Sequence, residues 1–138
     1  MRELKHTRRS IVRVGYDGKV HKQFLGDRAP QRFDNEWRIL EYLREKKCPF
    51  VPRVLHADPS TCSLITTNMG AIVETISPDK LQSLFQELES YGVIHDDPFP
   101  RNVTYHPILG RFCIIDFEFA TLLESGEGLT QASGQTPS

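Results

Sequence analysis

The residues best able to do chemistry fall in two places. The first is a polar run, His95-Asp96-Asp97-Pro98-Phe99-Pro100-Arg101-Asn102, followed after a short interval by Ile114-Ile115-Asp116-Phe117-Glu118. Carboxylates and an amide of this kind can orient a hydroxyl, accept a proton or offer oxygen to a hard cation. Pro98 and Pro100 restrict the loop, which lowers the entropy cost of holding Asp97 and Asn102 apart at fixed geometry. The second place is a pair of charges on faces that should be apolar. Val20-His21-Lys22-Gln23-Phe24 alternates, so Val20, Lys22 and Phe24 share one strand face. A lysine there is costly without an anionic partner. Glu36 lies between Phe33 and Leu40 at helical spacing, inside an apolar stripe, and Lys22 is the obvious cation for it. Plainer readings stand beside both. Lys22 could be an edge-strand lysine that guards against aggregation, and Glu36 could sit at the border of the stripe and reach water.

The elements that must position these groups follow from turn and capping signals. Ile11-Val12-Arg13-Val14 and Val20 to Phe24 flank Asp17-Gly18, which predicts a β-hairpin. Pro30 to about Lys47 predicts a helix, with proline in its first turn and Phe33, Trp37, Leu40 and Leu43 on one face. Val54 to Ala57 and Cys62 to Thr67 are strand candidates joined by Asp58-Pro59-Ser60, and Asn68-Met69-Gly70 has loop chemistry. Ser77-Pro78-Asp79 starts a second helix with a capping serine, and Leu81, Leu84, Phe85, Leu88 and Tyr91 form its stripe before Gly92 ends it. Val103 to His106 and Phe112 to Ile115 are two further short strands. From about Ser125 the chain is nearly devoid of apolar residues and reads as a disordered tail, 125–138.

A histidine, an aspartate two residues on, an asparagine five beyond that, a hairpin and then apolar-apolar-Asp-Phe resembles the catalytic loop and metal-binding aspartate of the protein-kinase-like superfamily. Two prolines before Arg-Asn, and Asp-Phe-Glu in place of Asp-Phe-Gly, look more like the aminoglycoside, lipopolysaccharide and other atypical kinase-like families. The resemblance spans about Arg8 to Ala120. It implies an α+β kinase-like domain over residues 1–124: a small antiparallel-sheet N-lobe (about 1–67) with a C-type helix, a hinge (about 68–71), and a minimal, truncated C-lobe (about 72–124) of one long helix, the catalytic loop and a β-hairpin. It implies ATP as cofactor with Mg²⁺ or Mn²⁺, and transfer of the γ-phosphate to a hydroxyl, most readily a serine or threonine of a protein and next a small molecule. Phosphoryl transfer asks the protein for positioning and charge neutralisation. The resemblance accordingly implies Asp97 as catalytic base, Lys22 on the α- and β-phosphates with Glu36 as its partner, and Asn102 and Asp116 as metal ligands. His95 becomes a structural residue bonded to the backbone near Asp116, and Ile65 and Met69 become candidate neighbours of adenine.

The pattern departs from the family in three places. Thr7-Arg8-Arg9-Ser10 stands where a glycine-rich loop should cover the phosphates, and arginine side chains are the available substitute. Asp-Phe-Glu lacks the glycine, and nothing after Ala120 corresponds to an activation segment or the remaining large-lobe helices. The second helix is therefore expected to expose part of its apolar face to a second copy or a partner protein. The lost loop and truncated lobe also support a different class, a pseudokinase that binds nucleotide or acts as a scaffold without turnover. Reading His95-Asp96 as the metal-binding pair of an HD-type phosphohydrolase requires an all-helical site, which Pro98 and Pro100 break.

Composition narrows the class without choosing the activity. The 138 residues suffice for one domain, 38% are hydrophobic and 25% charged, as in globular proteins. A formal net charge of -1 gives no field that would gather nucleic acid or anionic membrane. The local basic run Lys5, His6, Arg8 and Arg9 is a solvated end or a phosphate contact. Cys48, Cys62 and Cys113 are odd in number and widely spaced, which fits reduced thiols and a soluble, cytoplasmic setting. No signal-peptide core or membrane-length apolar run is expected to direct the chain elsewhere.

Overall fold

β-Branched residues flank a glycine turn early in the chain, and the sheet grows from them. The computed structural model describes residues 2–7 and 9–129. Strand β2 (Ser10–Val14) pairs antiparallel with β3 (Val20–Phe24), and Gly18 at φ 79° makes the turn that Asp17-Gly18 predicts. The hairpin lies within a five-stranded antiparallel sheet of order β1-β2-β3-β5-β4, where β1 is Arg2–His6, β4 is Val54–Asp58 and β5 is Ser63–Thr66.

Helix α1 (Ala29–Glu45) packs on this sheet with its first half and on the rest of the chain with its second. Phe33 joins Phe24 and Leu64, whereas Ile39, Leu40 and Leu43 enter a larger core with Phe50, Leu88, Val93, Val103, Ile114 and Phe117. Fully burying each such side chain stabilises the fold by about 1.5–3 kcal/mol, so α1 is held by its apolar stripe. Helix α2 (Pro78–Ser90) begins where Ser77 accepts the Lys80 N–H through Oγ at 3.2 Å and ends before Gly92. Gly92 sits at φ 98°, and a Cβ there would lie 2.8 Å from the Tyr42 hydroxyl.

Two small antiparallel sheets complete the α+β architecture. β6 (Ala71–Ile72), β8 (Val103–His106) and β9 (Arg111–Ile114) form one, in the order β6-β8-β9. β7 (Val93–Ile94) pairs with β10 (Thr121–Leu122) in the other. The segment between β7 and β8 contains a 3₁₀ turn, Pro100–Asn102. Among the described residues no helix is long and apolar enough to cross a membrane.

Three sequence expectations need amendment. The apolar face of α2 is covered by its own chain: Leu84, Phe85 and Leu88 are buried and Leu81 and Tyr91 half-buried, because β7, β9 and Phe50-Val51 fold back over them. Trp37, placed on the buried stripe, is only half-buried at the edge of the smaller core. Residues 125–129, assigned to the tail, include Gly128 bridged to Thr121, and Leu122 donates its N–H to the Glu127 carbonyl at 2.8 Å. Residues 130–138 of that tail lie outside the described residues.

Candidate active site

The alternation of β3 carries Lys22 inward, where Glu36 on the buried face of α1 meets it. Lys22 Nζ donates to Glu36 Oε1 at 2.8 Å, to Glu118 Oε2 at 3.0 Å and to Asp116 Oδ1 at 3.1 Å. Both plainer readings fail, since Lys22 and Glu36 are withdrawn from water and paired with each other. Burial pulls the Lys22 pKa down, but Asp116, Glu36 and Glu118 outweigh it, and the ammonium stays protonated well above the ordinary lysine range. Burial pushes the Glu36 carboxyl up, against the pull of Lys22. Glu36 Oε2 also accepts the Phe117 N–H at 3.2 Å, so one glutamate fixes both the lysine and the backbone after Asp116.

The segment after β9 takes an unusual path to bring Asp116 and Glu118 to the same ammonium. Asp116 has φ 68°, a left-handed conformation that aspartate tolerates better than most residues and that costs about 1–2 kcal/mol. Asn35, buried on α1, holds the path by donating Nδ2 to the carbonyls of Glu118 and Ala120, each at 3.0 Å. Arg32, 1% exposed, donates Nη1 to Glu118 Oε1 at 3.0 Å, Nε to the Asp27 carbonyl at 2.8 Å, and also bonds the carbonyls of Leu25 and Arg9. Sequence reasoning missed Arg32 and treated Glu118 only as a lost glycine. The signal for Arg32 was its place one helical turn before Glu36 on the buried face.

The loop between β7 and β8 is organised by His95. Its Nδ1 accepts the Asp97 N–H at 3.0 Å, so the ring proton lies on Nε2, which donates to the Ile115 carbonyl at 3.0 Å. With both nitrogens engaged and its ring buried against Phe85 and Phe117, His95 joins the loop to the residue before Asp116. Asn102 donates Nδ2 to the Asp97 carbonyl at 2.9 Å and to Asp97 Oδ2 at 2.7 Å, which leaves its own Oδ1 as acceptor. Arg101 forks onto the same carboxylate, Nε to Oδ2 at 2.7 Å and Nη2 to Oδ1, and stacks over Phe99.

Asp97, Asn102 and Asp116 line one cleft of about 800 Å³; Lys22 joins it through Asp116, and Glu36 stands behind Lys22. The five residues named from the sequence therefore converge, although 94 positions separate Lys22 from Asp116. Among the described residues five carboxylates line the cleft, those of Asp27, Asp96, Asp97, Asp116 and Glu118, against the guanidiniums of Arg9 and Arg101. Oxygens of Glu36, Asp116 and Glu118 lie within 4.8 Å of one another. On the cleft wall, Thr7 Oγ1 accepts the N–H of Arg9 and of Ser10, each at 3.1 Å. Away from it, Met69 is buried in the larger core with its carbonyl taken by Thr104 Oγ1 at 2.7 Å, and Ile65 is half-buried on β5.

No family model matches this sequence, and no match to a curated protein was found.

Proposed function

We propose that the chain is an ATP-dependent phosphotransferase of the protein-kinase-like kind, an atypical minimal kinase that transfers a γ-phosphate to a hydroxyl. The observation that carries this reading is the buried Lys22–Glu36 pair tied to Asp116 on the wall of the cleft that holds Asp97 and Asn102. Residues 1–67 serve as the N-lobe, 68–71 as the hinge and 72–124 as the reduced C-lobe. A serine or threonine of a protein is the preferred acceptor, because a flexible segment can reach into an open cleft; a small-molecule alcohol is the next.

The chemistry of the donor set fits a hard divalent cation. Among the described residues the cleft wall carries more carboxylates than guanidiniums, which disfavours a polyphosphate that brings no positive charge with it. Asp116 and Asn102, through its uncommitted Oδ1, would hold Mg²⁺ or Mn²⁺, which when bound would neutralise phosphate charge. Asp97, fixed by Asn102 and by its own N–H on His95, orients the acceptor hydroxyl and takes its proton on a carboxylate oxygen. Lys22 aligns the α- and β-phosphates and Glu36 keeps its ammonium in place.

The test is transfer from γ-labelled ATP with Mg²⁺ or Mn²⁺ to the protein or a generic acceptor. Asp97→Asn should lower it by about 10²–10⁴-fold. Equal labelling by wild type and Asp97→Asn refutes the assignment. A pseudokinase is the second reading, favoured by the Arg101 fork on both oxygens of Asp97; binding of a fluorescent nucleotide with no transfer would select it.

A further inference from the structure

An ammonium has three N–H donors, and the three short contacts of Lys22 use all of them. A phosphate can reach Lys22 only by replacing one of these carboxylates. Glu36 cannot leave cheaply, because its second oxygen holds the Phe117 N–H and its burial is nearly complete. Asp116 is set by the left-handed turn of its own backbone. Glu118 differs from both: its other oxygen is already bonded to the buried Arg32 at 3.0 Å, so it keeps a charged partner whether or not it touches Lys22.

We propose that Glu118 occupies the place of a nucleotide phosphate on Lys22, and that this residue sets which nucleotide species the cleft accepts, admitting a metal–nucleotide chelate and rejecting the free polyanion. The inference rests on the phosphotransferase reading and adds a specificity-determining residue to it. A free nucleotide must displace one carboxylate from Lys22 and brings no positive charge of its own to Asp97 and Asp116, whose partners are Arg101 and Lys22. A chelate brings its own positive charge, which turns the same carboxylates from repulsive to attractive. Glu118 then retreats onto Arg32, and Lys22 gains a free donor. Asp-Phe-Glu, in these terms, is a working substitution: the third residue supplies a charge that a glycine could not.

The experiment is titration of fluorescent ATP into the full chain, in EDTA and in excess Mg²⁺, for wild type, Glu118→Gln and Glu118→Asp. Gln keeps an oxygen for Arg32 but removes the charge; Asp keeps the charge for Arg32 and shortens the reach to Lys22. In EDTA both variants should bind at least about tenfold tighter than wild type, the equivalent of one lost charged contact. In Mg²⁺ the gap should close. Equal or weaker binding by both variants in EDTA overturns the proposal. Tighter binding by Glu118→Gln alone also overturns it, since net charge and not contact with Lys22 would then be responsible. Weaker binding of either variant in Mg²⁺ makes Glu118 a cation ligand and overturns it as well. If no form binds nucleotide in either buffer, the phosphotransferase reading itself falls. Circular dichroism melts establish that each variant is folded; should Glu118→Gln not fold, Glu118→Asp alone decides.

Discussion

Replacing Lys22 by methionine keeps the length and apolar stem of the side chain and removes the charge that three carboxylates share. Oxygens of Glu36, Asp116 and Glu118 lie within 4.8 Å of one another, and after the substitution Glu118 keeps its bond to Arg32 while Glu36 loses the ammonium at 2.8 Å. Removing one partner of a buried ion pair typically costs about 3–5 kcal/mol, because the remaining charge stays desolvated. For a domain of this size that corresponds to a fall in melting temperature of roughly 10–20 °C. Urea unfolding followed by tryptophan fluorescence at several pH values is the assay, with Trp37 on the smaller core as the reporter.

The pH dependence carries the sign of the argument. In the wild type Lys22 holds its proton more tightly folded than unfolded. Its contribution is therefore whole below the ordinary lysine range and is lost as pH rises through the raised folded value. Glu36 has a raised pKa too, which for a carboxyl has the opposite consequence: ionised Glu36 costs stability at neutral pH, and the cost fades as pH falls through its raised value toward the ordinary carboxylate range. Without Lys22 that carboxyl rises further, so the deficit of Lys22→Met should be largest near neutrality and shrink in mild acid. A deficit below about 0.5 kcal/mol at pH 7, the scale of an ordinary surface substitution, would refute a buried network at Lys22. So would a deficit that grows on acidification.

Other perturbations test the surroundings. Asn35→Ala leaves the carbonyls of Glu118 and Ala120 without their donor; chemical denaturation should show a loss of about 1–3 kcal/mol. Gly70→Ala should destabilise by more than about 2 kcal/mol in the same assay, because φ is 96° and a Cβ would meet the Tyr105 carbonyl oxygen at 2.0 Å. Alkylation at pH 8 should label half-buried Cys62 first, since burial pushes the Cys48 thiol up to about 11 and raises Cys113 as well.

Local signals carried the long elements and the charged residues that contradict their surroundings. Asp17-Gly18, Pro30 and Ser77-Pro78 act within a few residues of themselves, and the turn and both helices stand where these place them. Lys22 and Glu36 were legible because a charge on an apolar face needs a partner, and their bond is 2.8 Å long. Strand β1 was not legible: Arg-Glu-Leu-Lys-His has no apolar alternation, and backbone pairing with β2 creates the strand. Arg32 escaped because arginine is rarely fully buried, and the carboxylate that makes it so lies 86 residues away. The cover over α2 comes from strands of two to four residues, too short to show a period. The pairing of 125–129 is made by backbone groups, to which a composition rich in glycine and serine is blind.

The span of the charge cluster bears on the order in which the chain can fold. Lys22 meets Asp116 and Glu118 across 94 and 96 residues, so the last two of its three anions emerge when most of the described chain has been synthesised. At about 5–20 residues per second that interval lasts several seconds. Closing so long a loop is slow compared with forming the β2–β3 hairpin or α1. An early sheet and helix must therefore carry Lys22 with Glu36 alone, and Arg32 with no carboxylate, until the segment after β9 arrives. The same late segment brings β10 to β7. The site and the closure of the fold are thus one event, and an intermediate that lacks it has no assembled cleft.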